Sequence, residues 1–358
     1  MRTVHADDPA QLPPATTRFS LGPDSDAAAP PERRGLARDG VRLLIAEPHA
    51  LQHRLFRDLP EVLSPGDLLV VNTSATVPAA LRATHRRGGR ARLHVSTELD
   101  DGSWVVEPRL PANDGPDLRL RAGDSVRLAA GVGLRLLDSY PRPGATAGSR
   151  LWRASVSPAT DLLAFLGRHG RPIEYDYLHG SFDLADHQNV YASQPGSAEM
   201  PSAGRPFTAP LLVRLMARGI TIAPVLLHCG VSSQEAHEAP LPERFEVGPD
   251  TARLVRSAWS AGRRVVAVGT TVVRALESAA GADGRVRAAS GWTELVVGPG
   301  YSPRAVTGLL TGLHAPQASH LLMLEALAGP QLVERAYDSA VRGHYLWHEF
   351  GDSMLFLL

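Results

Sequence analysis

A glycine followed by two threonines is where this sequence comes nearest to a ligand-binding device. The run Arg264-Val265-Val266-Ala267-Val268-Gly269-Thr270-Thr271-Val272-Val273-Arg274-Ala275-Leu276-Glu277-Ser278 reads as a buried strand, a tight glycine turn and a helix opened by threonine. The free N–H groups of such a helix start favour an anionic or carboxylate ligand, and Gly269 lets that ligand approach the backbone. An ordinary strand-to-helix corner with a threonine cap gives the same pattern. Arg274 and Glu277 lie three apart on the helix and can pair with each other. The other reading of Arg274 has it meeting a carboxylate or phosphate of a ligand.

Other polar residues carry two readings each. His228 precedes Cys229 in an apolar strand, where neighbours face opposite sides, so the two cannot form a Cys–His dyad. Cys229 reads as a small buried filler. His228 and His314 are either substrate contacts or hydrogen-bonded core histidines. Asp352, after Phe350-Gly351, caps a turn or holds a ribose hydroxyl or an amine. His344 and His348 stand at i,i+4, but no Glu completes an HExxH pattern and no third ligand is evident, so no metal is expected. Arg82, Arg86, Arg87, Arg90 and Arg92, with His85, flank a Gly88-Gly89 turn; such a hairpin docks RNA phosphates or is a solvated arginine-rich loop.

The elements that must hold these residues are legible from texture. At 358 residues the chain suits two domains, and 44% hydrophobic against 21% charged residues is a globular composition. Lys+Arg 37 balances Asp+Glu 37, which excludes nucleic-acid coating by bulk charge but not a local basic patch. Every side-chain cation is Arg; with no lysine, Schiff bases and P-loop lysines are excluded. One cysteine excludes an internal disulfide and multi-cysteine metal sites. The N-terminus lacks the apolar core of a signal peptide and no apolar run approaches a membrane span, so a cytoplasmic location is expected.

Strands are expected near Val41 to Ala46, at Leu68 to Val71, Ile220 to Leu227 and Val265 to Val268. Helices are expected at Leu51 to Leu63, after Thr208, at Thr251 to Gly262 and at Thr271 to Ala280. Between Pro78 and Ser157, short apolar runs, among them Leu118 to Leu120, alternate with turn residues and suggest a small antiparallel barrel or sandwich. The expected fold class is therefore α/β: a layered domain with a largely parallel sheet, built from residues 1–77 and 158–358, carrying an inserted β-barrel domain at 78–157.

The glycine-threonine run, VVAVGTTVVRALES, also resembles nearly residue for residue a motif of the S-adenosylmethionine:tRNA ribosyltransferase-isomerases of queuosine biosynthesis. Further blocks follow in the family's order. Pro65-Gly66-Asp67-Leu68-Leu69-Val70 and Val77-Pro78-Ala79 resemble PGDLLV…IPA. Gln188-Asn189-Val190-Tyr191, Pro195-Gly196 and Pro201-Ser202-Ala203-Gly204 resemble YQTVY…PG…PTAG, and Leu227-His228 with Gly230 resembles LHVG. Pro299-Gly300-Tyr301, Leu313-His314-Ala315-Pro316, Ala328-Gly329 and Phe350-Gly351-Asp352-Ser353-Met354 complete the series, which spans Phe19 to the C-terminus.

The resemblance implies an α/β domain with an inserted barrel. It also implies transfer and isomerisation of the ribosyl group of S-adenosylmethionine onto 7-aminomethyl-7-deazaguanine in tRNA, giving epoxyqueuosine with release of adenine and methionine. S-adenosylmethionine is then the ribosyl donor, tRNA the partner, and a monomer the expected state. The expected catalytic residues are His228, His314, Glu277 and Asp352; Asn72, Ser202, Gly204, Gly269, Thr270, Thr271 and Arg274 are the expected substrate contacts. The sequence departs from the family at several polar positions. Asn72-Thr73-Ser74-Ala75 stands for NNTR, Ala80 for an Arg, Arg205-Pro206 follows the PTAG block in place of a His-bearing stretch, and Ala239-Pro240-Leu241-Pro242-Glu243 lacks two histidines. Two alternatives stay open on these departures: related ribosyl chemistry on a small nucleoside or deazapurine, and a non-catalytic nucleoside- or RNA-binding protein.

Overall fold

In the run Leu68–Asn72 every residue is buried, because the strand has covered faces on both sides. Leu68 and Val70 pack into one apolar core with Ala252, Val255, Val272 and Ala275. Leu69 and Val71 point the other way, to Phe207, Leu211 and Leu215. This alternation, repeated by Val265 and Ala267 against Val266 and Val268, fixes a sheet with helices on either face. A computed structural model describes residues 12–85, 89–231, 238–316 and 318–358.

The sheet has nine strands, in the order Ala289–Thr293, Glu243–Val247, Thr221–Leu227, Leu68–Asn72, Val265–Val268, Gly308–Gly312, Ser353–Leu357, Arg42–Glu47 and Ala50–Leu55. The run from Thr221–Leu227 through Gly308–Gly312 is parallel. Antiparallel neighbours flank it, so the sheet is mixed where the alternation of helices and strands suggested a largely parallel one. The Leu51 to Leu63 helix is also replaced. Ala50–Leu55 is an edge strand folded back on Arg42–Glu47, followed by a 3-10 turn and a one-turn helix, Leu59–Val62.

Six antiparallel strands close a barrel in the order Trp152–Ser157, Trp104–Arg109, Arg90–Glu98, Ala80–His85, Ser125–Arg127 and Gly133–Ser139. Leu81, Leu93, Val95, Trp104, Val106 and Trp152 fill it. Leu118 to Leu120 lies outside these strands. A helix, Leu162–His169, capped by Asp161, then packs Phe165 against Trp104 with ring centroids 5.9 Å apart. The chain leaves the barrel beside its own entry. Ala80 and Arg171 exchange backbone hydrogen bonds of 2.8 and 2.9 Å, and a Cβ on Gly170 would lie 1.8 Å from the Pro78 carbonyl oxygen. Backbone cannot rotate out of the way as a side chain can. Gly170→Ala is therefore expected to lower the unfolding free energy by at least about 1–3 kcal/mol, the usual cost of overpacking, measured by urea titration.

Candidate functional site

Remote stretches of the chain converge on one cavity of about 310 Å³. The loop Met200-Pro201-Ser202-Ala203 forms one wall; Cys229-Gly230 with Leu241 and Glu243 forms the next. Gly269, Thr270, Thr271 and Arg274 come from the start of helix Thr270–Ser278, and Leu313, His314 and His320 from the far side. Gly269 has φ +93, a left-handed value that a side chain would strain, and it turns the chain from strand Val265–Val268 into the helix. The helix N-terminus, with its dipole and two threonine hydroxyls, thus opens on the cavity and suits an anionic group there.

The opposite charge is held on the same helix. Arg274, buried at 3% exposure, donates from Nε to the Leu295 carbonyl at 3.0 Å and from Nη2 to the carbonyls of Leu241 and Thr293 at 2.9 and 3.1 Å. Its Nη1 pairs with the Glu243 carboxylate, which also accepts the Gly230 N–H at 3.0 Å. Burial pushes the Glu243 carboxyl up from its ordinary value, against the pull of Arg274 and that N–H. The expected Arg274–Glu277 pair does not form. Glu277 accepts instead from the N–H groups of Arg304, Ala305 and Val306 and from the Tyr301 hydroxyl, at 2.9 to 3.3 Å, and so anchors the 301–306 loop.

Two stacked imidazoles stand on the far wall. The rings of His314 and His320 stack at 4.5 Å and 4°. His314 is fixed by a 2.9 Å hydrogen bond between Nε2 and the Thr311 hydroxyl, and its backbone by Tyr337 and Trp347. Burial pulls His314 well below the ordinary value, and burial with the Arg274 charge pulls His320 down to about 4, so both are neutral at pH 7. Burial likewise pushes the Cys229 thiol far up, as befits a small filler rather than a nucleophile.

Of the residues singled out in the sequence, Ser202, Gly269, Thr270, Thr271, Arg274 and His314 line this cavity. Asn72 stands behind it. Its amide donates to the Leu227 carbonyl at 2.8 Å and accepts the Leu227 N–H at 3.0 Å, tying two strands together. Gly204 makes room for Tyr191, whose hydroxyl would lie 2.0 Å from a Cβ there. His228 and Cys229 lie just past the end of strand Thr221–Leu227, not within it as the sequence suggested, and His228 does not line the cavity. Its Nδ1 bonds the Ser74 hydroxyl at 2.7 Å, Ser74 bonds Ser197 at 2.6 Å, and its ring packs over Gly196. Glu277 and Asp352, expected as catalytic, are outside the cavity wall and their oxygens are already taken. Asp352 accepts from Arg42 N–H at 2.7 Å, Arg42 Nε at 2.9 Å and Leu346 N–H at 2.9 Å.

Sequence reasoning missed Glu243 and His320 as cavity residues. Glu243 was visible only as the acid closing the block that had lost its histidines; nothing local distinguished His320. His344 and His348 are not on a helix face, since both follow helix Pro330–Arg342 at positive φ. His348 lies 3.1 Å from Asp26, stacks on Tyr177 at 4.2 Å and lines the cavity. Among the described residues no three His, Cys, Asp or Glu side chains are grouped to hold a metal ion, and no helix is long and apolar enough to cross a membrane. Arg86 and Arg87 lie outside the described residues.

The family model described as "Queuosine biosynthesis protein" matches residues 15–356 of this chain. The chain belongs to that family. An S-adenosylmethionine:tRNA ribosyltransferase-isomerase of Symbiobacterium thermophilum is 37% identical over 333 residues, covering 89% of this chain and 94% of that protein. One from Desulfitobacterium hafniense is 36% identical, over 95% of this chain and 98% of its own length. Among solved structures, an S-adenosylmethionine tRNA ribosyltransferase from Thermotoga maritima is similar at 28% identity and a TM-score of 0.53, covering 95% of this chain and 99% of that one. Of the recurring sequence blocks, Pro201-Ser202-Ala203, Gly230, Gly269 to Thr271 with Arg274, and Leu313-His314-Ala315 meet at the cavity; the others lie off its wall, among them Phe350-Gly351-Asp352, whose Asp352 braces Arg42 instead.

Proposed function

We propose that this protein transfers and isomerises the ribosyl group of S-adenosylmethionine onto 7-aminomethyl-7-deazaguanine in tRNA, releasing adenine and methionine. The observation that carries this reading is the meeting of Ser202, Gly269 to Thr271, Arg274 and His314, from three blocks far apart in sequence, on one cavity. The relatives described above are named S-adenosylmethionine:tRNA ribosyltransferase-isomerase, which supports this reading.

The cavity suits the chemistry. A sulfonium acidifies the neighbouring C5′ protons and leaves as a neutral thioether, so the site needs a base, a neutral acceptor amine, a proton donor for departing adenine and exclusion of water. The positive helix N-terminus with Thr270 and Thr271 is the seat for the methionine carboxylate. Neutral His314 and His320 offer imidazoles that can donate or accept a hydrogen bond without adding charge beside a sulfonium. Arg274 acts by holding Glu243, Leu241 and Thr293 in place, and Glu243 is one of the cavity's carboxylates, with Glu199 and Glu349, available as the base. His228 acts through its Ser74–Ser197 chain, and Glu277 and Asp352 act as braces of the fold. The enzyme is read as a cytoplasmic monomer without a metal.

The test is adenine formation from S-adenosylmethionine with and without tRNA carrying the aminomethyl-deazaguanine. Adenine is expected only with that tRNA, and digestion with mass spectrometry is expected to show epoxyqueuosine. Adenine released equally without RNA would transfer the assignment to a small acceptor; none under either condition would remove it.

A further inference from the structure

The outer face of the barrel carries a row of arginines. In register, Arg82 stands directly opposite Arg92 on the neighbouring strand, and Arg92 directly opposite Arg109 on the next. Side chains so placed share one face with Cβ atoms about 5 Å apart, and like charges there destabilise the sheet. Only the innermost is neutralised. Buried Arg109 bonds the Glu107 carboxylate at 3.1 Å, the Asn113 side-chain oxygen at 2.8 Å and the Asn113 carbonyl at 2.6 Å. Arg92 spends its Nε on the Pro111 carbonyl at 3.1 Å. Among the described residues neither Arg82 nor Arg92 has a carboxylate within salt-bridge distance, and both side chains are exposed.

A further guanidinium is brought to this row by the strand-like contact between Ala80 and Arg171, and it too has no carboxylate partner among the described residues. Arg82, Arg92 and Arg171 line one cleft of about 400 Å³, with Glu174 the single carboxylate on its wall. His94, also on that wall, is pushed down to about 3 by burial and by Arg109 and Arg92, so it does not add to the charge at neutral pH. A small hollow lies between the cleft and the cavity described above. Pro172 is shared between the cleft and this hollow, and the hollow shares Glu199, Met200 and Glu349 with the cavity.

We infer that this cleft seats the sugar–phosphate backbone of the RNA acceptor, with Arg82, Arg92 and Arg171 meeting phosphate oxygens. The inference rests on the reading that the acceptor is tRNA, and adds the surface that holds it. It places recognition on the strand face and the re-entry segment. An anion bridging Arg82 and Arg92 also relieves a repulsion that the sheet cannot relieve by itself.

The test compares wild type with the Arg82→Gln/Arg171→Gln double variant by fluorescence anisotropy with labelled tRNA across a salt series. The variant is expected to bind about tenfold or more weakly at about 0.1 M salt, with a log–log salt slope shallower by about one per arginine removed. Both residues are exposed and unpaired, so its melting temperature is expected at or above that of wild type, and its calorimetric binding of S-adenosylmethionine is expected to be unchanged. Equal affinity and slope in the two proteins would overturn the cleft while leaving tRNA modification by wild type standing. A lowered melting temperature would mark the arginines as structural and overturn it too. Inorganic phosphate binding wild type as tightly as tRNA does would make this a small-anion site instead. Wild type that binds no tRNA, yet forms adenine without it, would overturn the acceptor and the cleft together.

Discussion

Arg274→Gln is expected to destabilise the protein by about 3–5 kcal/mol and to abolish adenine formation, the former read by urea titration and the latter by chromatography. The magnitude follows from what the guanidinium holds. Its loss leaves the largely buried Glu243 carboxylate at the cavity wall with one N–H donor, Gly230, and leaves the carbonyls of Leu241, Thr293 and Leu295 without the donor they now share. A buried charge left without its partner costs far more than a surface pair is worth. Arg253–Asp250, with side chains 60% and 88% exposed, is the internal comparison: Arg253→Gln is expected to change stability by less than about 0.5 kcal/mol.

Arg274→Lys separates charge from geometry. A lysine keeps the positive charge but cannot reach Glu243 and three carbonyls in one plane, because only the guanidinium presents its donors as a fixed fork. It is expected to behave nearly as badly as glutamine. If Arg274→Lys retains full stability and full adenine formation, the account of Arg274 as a scaffold for the cavity wall fails.

This residue also shows what could be read from the sequence and what could not. The strand, glycine turn and helix around it are set by local pattern, and Val265–Val268 and Thr270–Ser278 form within a residue or two of the expected bounds. The partner of Arg274 is not local. Glu243 lies 31 positions away on a strand at the antiparallel flank of the sheet, and pairing at that range is decided by sheet order. Glu277 is nearer in sequence but has the better offer of three backbone N–H groups from the 301–306 loop. The Leu51 to Leu63 region fails for a related reason. Leucines at 51, 55, 59 and 63 repeat with a helical period, yet the two-residue Pro48-His49 turn folds Ala50–Leu55 onto Arg42–Glu47 as an edge strand, and that tertiary pairing overrides the period. The barrel was legible because its strands are short and separated by turn residues. The cavity was legible only as blocks shared with a family; that those blocks touch, and that His320 joins them, needed coordinates.

The second large effect is acid sensitivity. His94, His187, His228, His314 and His320 are all pulled below the ordinary histidine value by burial, His94 to about 3 and His320 to about 4. Between pH 6.5 and 4 an unfolded chain protonates these side chains while the folded protein keeps His320 neutral. The unfolded state then binds more protons, so stability is greatest above pH 6.5 and is lost as pH falls toward 4. For His320 alone the loss approaches about 3 kcal/mol across that window, at roughly 1.4 kcal/mol per unit of displacement. Glu107 and Glu243, both raised by burial, act with the opposite sign above the ordinary carboxyl value, because their stabilising protonated form is lost as pH rises. The net slope is therefore best read as a difference. His320 faces His314 and the Arg274 charge, and a leucine in its place has nothing to protonate. The unfolding free energy of His320→Leu, followed by urea titration from pH 7.5 to 4, is expected to fall less steeply than that of wild type. Parallel curves would mean that the imidazole is not held neutral against the cavity wall.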